Sequence, residues 1–187
     1  MFKKWRIYSF FIVLLLSIVA VLGGCSSGKT QEENQELDSL NQFMAFTTNE
    51  EAFTQESFEE YDITLVCFWA PWSDASMYEL QRLHELSKKL PDSVGFVTIA
   101  LDSTAAEISG TLKNMEMTKV TTLCSGDGDF RIVCDEIKDI PTTMIVDEKG
   151  TRVKDPIIGI QDDFEKTYMT KINKALNSVG KKKISLE

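Results

Sequence analysis

The chain has 187 residues, with 29 Asp and Glu against 20 Lys and Arg, a formal net charge of −9, one histidine and four cysteines. A surface this acidic repels phosphodiester backbones and anionic headgroups, which argues against nucleic acid or a charged lipid surface as its partner. The length suits one domain with a substantial core and leaves little room for two.

The N-terminus carries Lys3, Lys4 and Arg6, then an apolar run from Ile7 to Leu22, then Gly23-Gly24-Cys25. That order reads as a secretory signal over residues 1–24 ending in a lipobox-like sequence, and it resembles the start of bacterial lipoproteins. The resemblance implies a diacylglycerol on the thiol of Cys25. The chain would then be lipid-anchored to the cell membrane, on its extracytoplasmic face. An uncleaved single-span anchor is the alternative, although the run falls short of the roughly 20 residues that cross a bilayer. The first 24 residues hold three basic side chains and no acidic one, so their removal would take the charge from −9 to −12. Residues 25–42 are polar and acidic and read as a flexible tether, with the domain placed at 43–187.

From Phe43 onward short apolar runs alternate with amphipathic segments, the pattern of an α/β fold. Residues 63–70, "ITLVCFWA", are β-branched and aromatic, stop at Pro71, and read as a buried strand. Met77, Leu80, Leu83, Leu86 and Leu90 then recur at helical spacing up to Pro91. Residues 94–102 read as a second core strand, 103–116 as a helix with a Ser/Thr cap, 119–124 as a strand and 129–137 as a short helix. Residues 142–160 read as two strands around Glu148-Lys149-Gly150, and 162–180 as a closing helix stopped by Gly180.

Three strings in this order, "LVCFWAPW" before a helix, "IPTTMIVDEKG" about 70 residues on, and "IIGI" before the final helix, resemble the thioredoxin superfamily. More narrowly they are similar to the membrane-tethered thiol-disulfide oxidoreductases of the TlpA and ResA type. The resemblance implies a thioredoxin-like fold: a central mixed sheet flanked by helices, with the extra helix and strand of the TlpA branch between "VTIALD" and "IPTT".

In that family the strand ends in Trp-Cys-x-x-Cys. The helix N-terminus lowers the first thiol's pKa, and the second cysteine resolves the mixed disulfide. Here Trp72 matches, but Ser73 and Ser76 stand at the two cysteine positions, with Asp74 and Ala75 between them also changed. A serine hydroxyl forms no disulfide, so no confident catalytic residue remains there. Serine hydrolysis would need an adjacent base, and the only histidine, His84, lies about three turns along the helix. Ser73 or Asp74 is better suited to capping the helix.

Around the motif, Pro141 matches the superfamily's cis-proline, beside which Ile140 would offer its backbone to an extended peptide. A purely structural turn is the alternative. Glu79 matches an acidic residue of TlpA/ResA-like proteins, and could equally be a solvated helix carboxylate. Cys67 falls where thioredoxins often place a buried acid, and reads most simply as a small core residue.

Cys124 and Cys134 lie ten residues apart around "SGDGD". In an oxidising compartment they are candidates for a disulfide, whose closure of so short a loop would contribute about 3 kcal/mol. Buried free thiols or an exchangeable pair are the alternatives. Four clustered ligands are not visible, so no metal or other cofactor is expected, and "SGDGD" lacks the spaced carboxylates of a calcium loop.

Two functional readings stand. One is a non-redox binding or scaffold module whose Trp72/Pro141 groove takes an extracytoplasmic protein or peptide. The other is an oxidoreductase using Cys124 and Cys134 or a partner's cysteines.

Overall fold

The computed structural model describes residues 40–186. The signal reading, Cys25 and most of the tether lie outside them. A seven-stranded sheet runs in the order β2-β1-β5-β4-β3-β6-β7. Its strands are β1 (Phe43–Thr47), β2 (Ala52–Thr54), β3 (Ile63–Trp69), β4 (Val94–Ala100), β5 (Thr122–Gly128), β6 (Thr142–Asp147) and β7 (Ile157–Ile158). Four helices flank it: α1 (Asp74–Ser87), α2 (Ala105–Asn114), α3 (Asp129–Glu136) and α4 (Phe164–Ser178).

All seven residues of β3 are buried, as a central strand covered on both faces requires. β3 pairs in parallel with β4 and antiparallel with β6, and β4 pairs in parallel with β5. The crossovers β3-α1-β4 and β4-α2-β5 place both helices on one face, where α4 joins them. There Leu80, Leu83, Ile108, Leu112, Tyr168 and Ile172 pack against Ile63, Leu65, Cys67 and Trp69 of β3. The opposite face is covered by α3 and the chain around Phe58. There Phe43, Phe58, Phe130 and Val133 pack against Val66 and Phe68.

The domain begins before Phe43. Leu40 is fully buried and its N–H donates to the Gly150 carbonyl at 2.8 Å, while Asn41 and Gln42 N–H groups donate to Asp129 Oδ2 at 3.0 and 2.8 Å. The docking depends on two glycines at positive φ. A Cβ on Gly128 (φ +67°) would lie 2.3 Å from the Gln42 carbonyl oxygen, and one on Gly150 (φ +75°) would lie 2.2 Å from that of Leu40. Residues read as the end of a polar tether are therefore built into the fold.

Two further differences stand out. β1 and β2 carried no strand signal, and the strand read at 119–124 instead runs from Thr122 to Gly128 through most of "SGDGD", pairing with β1 from Phe43–Gly128 to Phe46–Ser125. The second strand expected in 142–160 shrinks to Ile157–Ile158, with an isolated bridge between Val146 and Arg152.

Candidate functional site

β3 delivers the chain to one end of the sheet, where Ala70-Pro71-Trp72 turns into α1. Ser73 N–H donates to Ala70 O at 3.1 Å and Ser73 O accepts from Met77 N–H at 3.0 Å, closing the turn and opening the helix. Ser73 is the N-cap, its Oγ accepting from the Ser76 N–H at 3.2 Å. Asp74 adds negative charge at the positive end of the helix dipole. Ser76 is fully buried and its Oγ has no hydrogen-bond partner, an unusual state for a hydroxyl. Trp72 is 65 % exposed.

The Ile140–Pro141 peptide bond is cis. Phe68 pairs with Thr142 in the β3–β6 ladder, so Pro141 comes level with Trp69 and arrives at the same end of the sheet as Trp72 and Ser73. The Pro141 carbonyl accepts from Gly159 N–H at 2.8 Å, which brings the exposed Ile158 and Ile160 to that end too.

Beneath this end lies a polar cluster that the motif alone did not announce. Glu79 is fully buried, which removes the reading of it as a solvated helix carboxylate. Its Oε2 accepts from Arg82 Nη1 at 3.3 Å. The same Arg82 nitrogen donates to Gln161 O at 3.1 Å, and its guanidinium lies 4.1 Å over the Phe164 ring. Tyr168 of α4 and Thr143 of β6 share a hydrogen bond of 3.0 Å. Either hydroxyl can be the donor in that bond, and Tyr168 also neighbours the Glu79 carboxyl. Only the Thr143 bond has good geometry, and Glu79 Oε1 is left without a partner.

Electrostatics follow from this burial. Desolvation raises the Glu79 pKa above the usual carboxylate value, with Arg82 pulling it back. Burial pushes the Cys67 thiol up to about 12, against a hydrogen bond with Thr143 and with the Glu79 charge adding to the rise. Tyr168 is raised too, chiefly by burial. Burial, then the Lys88 charge, lowers the pKa of half-buried His84, which lies about three turns along α1 from Ser73.

The Glu79 environment yields a prediction. Its pKa is higher folded than unfolded, so the protonated form is favoured in the fold. Relative to a residue that does not titrate, the folded state loses stability as pH rises from the ordinary carboxylate range through the raised value. Glu79→Gln keeps an acceptor for Arg82, which also retains Gln161 and Phe164. The variant is expected to match the parent near pH 4 and to be more stable by about 1 kcal/mol at pH 7. Thermal melts across that range check it, and a destabilised variant at pH 7 would contradict the account.

The disulfide open to Cys124 and Cys134 is not formed, and both are free thiols. The sequence spacing hides the reason. Cys124 packs with the cluster on the α1/α2/α4 face, and Cys134 with the cluster beneath α3, so the sheet separates them. Cys124 Sγ instead donates to Phe46 O at 3.6 Å. Burial, then the charges of Asp135 and Asp102, pushes the Cys134 thiol up to about 12.

Sequence reasoning singled out Trp72, Ser73, Ser76 and Pro141, and the fold brings them to one end, with Glu79 beneath. It missed Arg82, Thr143 and Tyr168. The i,i+3 spacing of Glu79 and Arg82 was a visible signal, and so was the inward helical phase of Phe164, Tyr168 and Ile172. Among the described residues there is no group of three or more His, Cys, Asp or Glu that could hold a metal, and no helix long and apolar enough to cross a membrane.

A mixed sheet flanked by four helices, with a strand-turn-helix facing a cis-proline, defines a class. Residues 60–152 match the family model described as thioredoxin-like. The described domain belongs to the thioredoxin superfamily and has its fold. No curated protein matches the sequence significantly. Among solved structures it is similar to the MTB dsbF structure in mixed oxidized and reduced forms, at 21 % identity and a TM-score of 0.58. That match covers 74 % of this chain and 96 % of the other. A thiol:disulfide interchange protein of the thioredoxin family from Chlorobium tepidum matches at 18 % identity and a TM-score of 0.58, covering 72 % and 94 %. The pneumococcal exposed lipoprotein thioredoxin from Streptococcus pneumoniae matches at 15 % and 0.55, covering 68 % and 97 %.

Proposed function

We propose that this protein is a non-redox member of the TlpA/ResA-like branch of the superfamily: a lipid-anchored extracytoplasmic module that binds an extended polypeptide. The observation that carries the proposal is the chemistry at the start of α1. The position of the attacking thiolate is filled by a hydroxyl already committed to capping the helix, and the position of the resolving thiol by a buried hydroxyl. Neither can exchange with a disulfide. The thiols elsewhere are poor substitutes, because Cys67 and Cys134 are held protonated by burial and Cys124 lies across the sheet from Cys134.

What favours binding is the rim that persists around the lost chemistry. Trp72, Ile158 and Ile160 are exposed apolar side chains at the cis-proline end. A large rigid indole gives contact area at little entropic cost. Anchoring rests on Lys3, Lys4 and Arg6, the apolar run and Cys25, and a structural neighbour described as an exposed lipoprotein fits the same setting.

Insulin reduction with dithiothreitol as electron source tests the proposal. The parent protein is expected to leave the uncatalysed rate unchanged. Turnover that Cys134→Ala abolishes would instead establish the oxidoreductase reading through Cys124 and Cys134.

A further inference from the structure

The net negative charge is an average that conceals a segregated surface. From Lys166 to Leu186 the chain has six lysines and no acidic residue. These residues form most of α4, whose Tyr168 reaches the polar cluster described above, and the tail after Gly180. A groove of about 710 Å³ runs there, lined by Lys154, Lys166, Lys174 and Lys183 with no carboxylate in its wall. Two neighbouring cations are engaged: Lys181 pairs with Asp62 at 2.6 Å and Lys171 donates to Asp155 O at 3.2 Å. For the four groove lysines, no ion pair is found among the described residues.

The groove is also pre-formed. Asn173 holds the tail by a reciprocal pair of hydrogen bonds, its Nδ2 donating to Ile184 O at 3.0 Å and its Oδ1 accepting from Ile184 N–H at 2.7 Å. Ile184 and Leu186 pack on the core as a result. Lys183 is thereby fixed opposite α4 rather than left on a loose end. Thr170 and Ser178 add hydroxyl donors to the same wall.

Four like charges gathered in one concave wall repel each other and gain from a multivalent counter-charge, because a cleft lined by one sign focuses the field. Lysine ammonium groups and hydroxyls are a donor set suited to phosphate oxygens. We propose that this groove binds a phosphate-bearing polyanion, presented either by a soluble molecule or by a lipid headgroup. The site is separate from the Trp72 end and does not depend on the function proposed for it. It also limits the exclusion drawn from net charge: the chain as a whole repels such ligands while this face attracts them.

The test is lysine acylation of the full-length protein in detergent at physiological ionic strength, followed by mass spectrometry. The probes are sodium tripolyphosphate, and mixed micelles containing phosphatidylglycerol or, as control, phosphatidylcholine. At a probe concentration ten times the dissociation constant, acylation of Lys154, Lys166, Lys174 and Lys183 is expected to slow about tenfold, with Lys113, Lys138 and Lys149 unaffected. Protection by tripolyphosphate identifies a soluble ligand, and protection by phosphatidylglycerol micelles alone identifies a headgroup. In a Lys154→Ala/Lys174→Ala variant, the protection of Lys166 and Lys183 should disappear. Equal protection of all lysines, no protection by either anion, or full protection surviving in the variant would each overturn the proposal.

Discussion

Replacing Ser73 and Ser76 together by cysteine is expected to convert the protein into a disulfide reductase, with insulin turnover well above the parent's background. The two positions occupy the N-cap and third residue of α1, with the second fully buried and the first accessible. That is the asymmetry an attacking and a resolving thiol need. At the N-cap the new thiol would face the free amides and positive dipole end of the helix, which should draw its pKa below the ordinary value of about 8.5. The change costs the Ser73 cap, about 1 kcal/mol, which a domain with this core should tolerate. Ser73→Cys alone should capture substrate as a stable mixed disulfide, since nothing resolves it. Cys67 stands where a thioredoxin's buried acid would be, so only Glu79, beneath the motif, is left to accept a proton. If the double variant forms no internal disulfide, the frame around the motif has moved as well as its sulfurs.

Trp69→Ala is expected to be the most damaging single truncation near the site. The indole is fully buried at the end of β3, and its Nε1 donates to Thr98 Oγ1 at 3.2 Å. Thr98 in turn shares a 2.8 Å hydrogen bond with Thr122. Truncation would leave a large cavity in the α1/α2/α4 face and cost about 4 kcal/mol, lowering Tm by roughly 10 °C. Trp69→Phe keeps most of the volume and leaves Thr98 bonded to Thr122, so it should cost only about 1 kcal/mol. Comparable losses in the two variants would mean that the hydrogen bond rather than the packing matters most. Trp72→Ala, three residues on but exposed, should change Tm little.

Where one element carried its own signal, the fold was legible in the sequence. β3, α1 and β4 declare themselves through unbroken apolar runs and a three-to-four spacing that is then stopped by proline. β1 and β2 are short and alternate Phe43 and Ala45, buried, with Met44 and Phe46, exposed, a pattern too brief to separate from a loop. β5 extends past the expected end at Cys124 to Gly128. Gly126 suggests a turn, yet its role is close strand approach: a Cβ there would lie 2.7 Å from the Met44 carbonyl oxygen.

The site divides in the same way. Ser73, Ser76, Trp72 and Pro141 could be found because a motif places them. The surroundings of buried Glu79 could not, because Gln161 and Tyr168, which meet it and Arg82, are far away in sequence. Cys124 and Cys134 show the converse, where short spacing suggested a bond that an intervening sheet prevents.

The most direct test of the central claim is a count of thiols against redox potential. The full-length protein would be equilibrated in glutathione buffers spanning about −180 to −300 mV, alkylated, and read at the peptides bearing Cys67, Cys124 and Cys134. All three are expected to remain thiols throughout, with no two-electron step. A paired loss of the Cys124 and Cys134 thiols at one potential would contradict it, and would make this domain a redox protein after all.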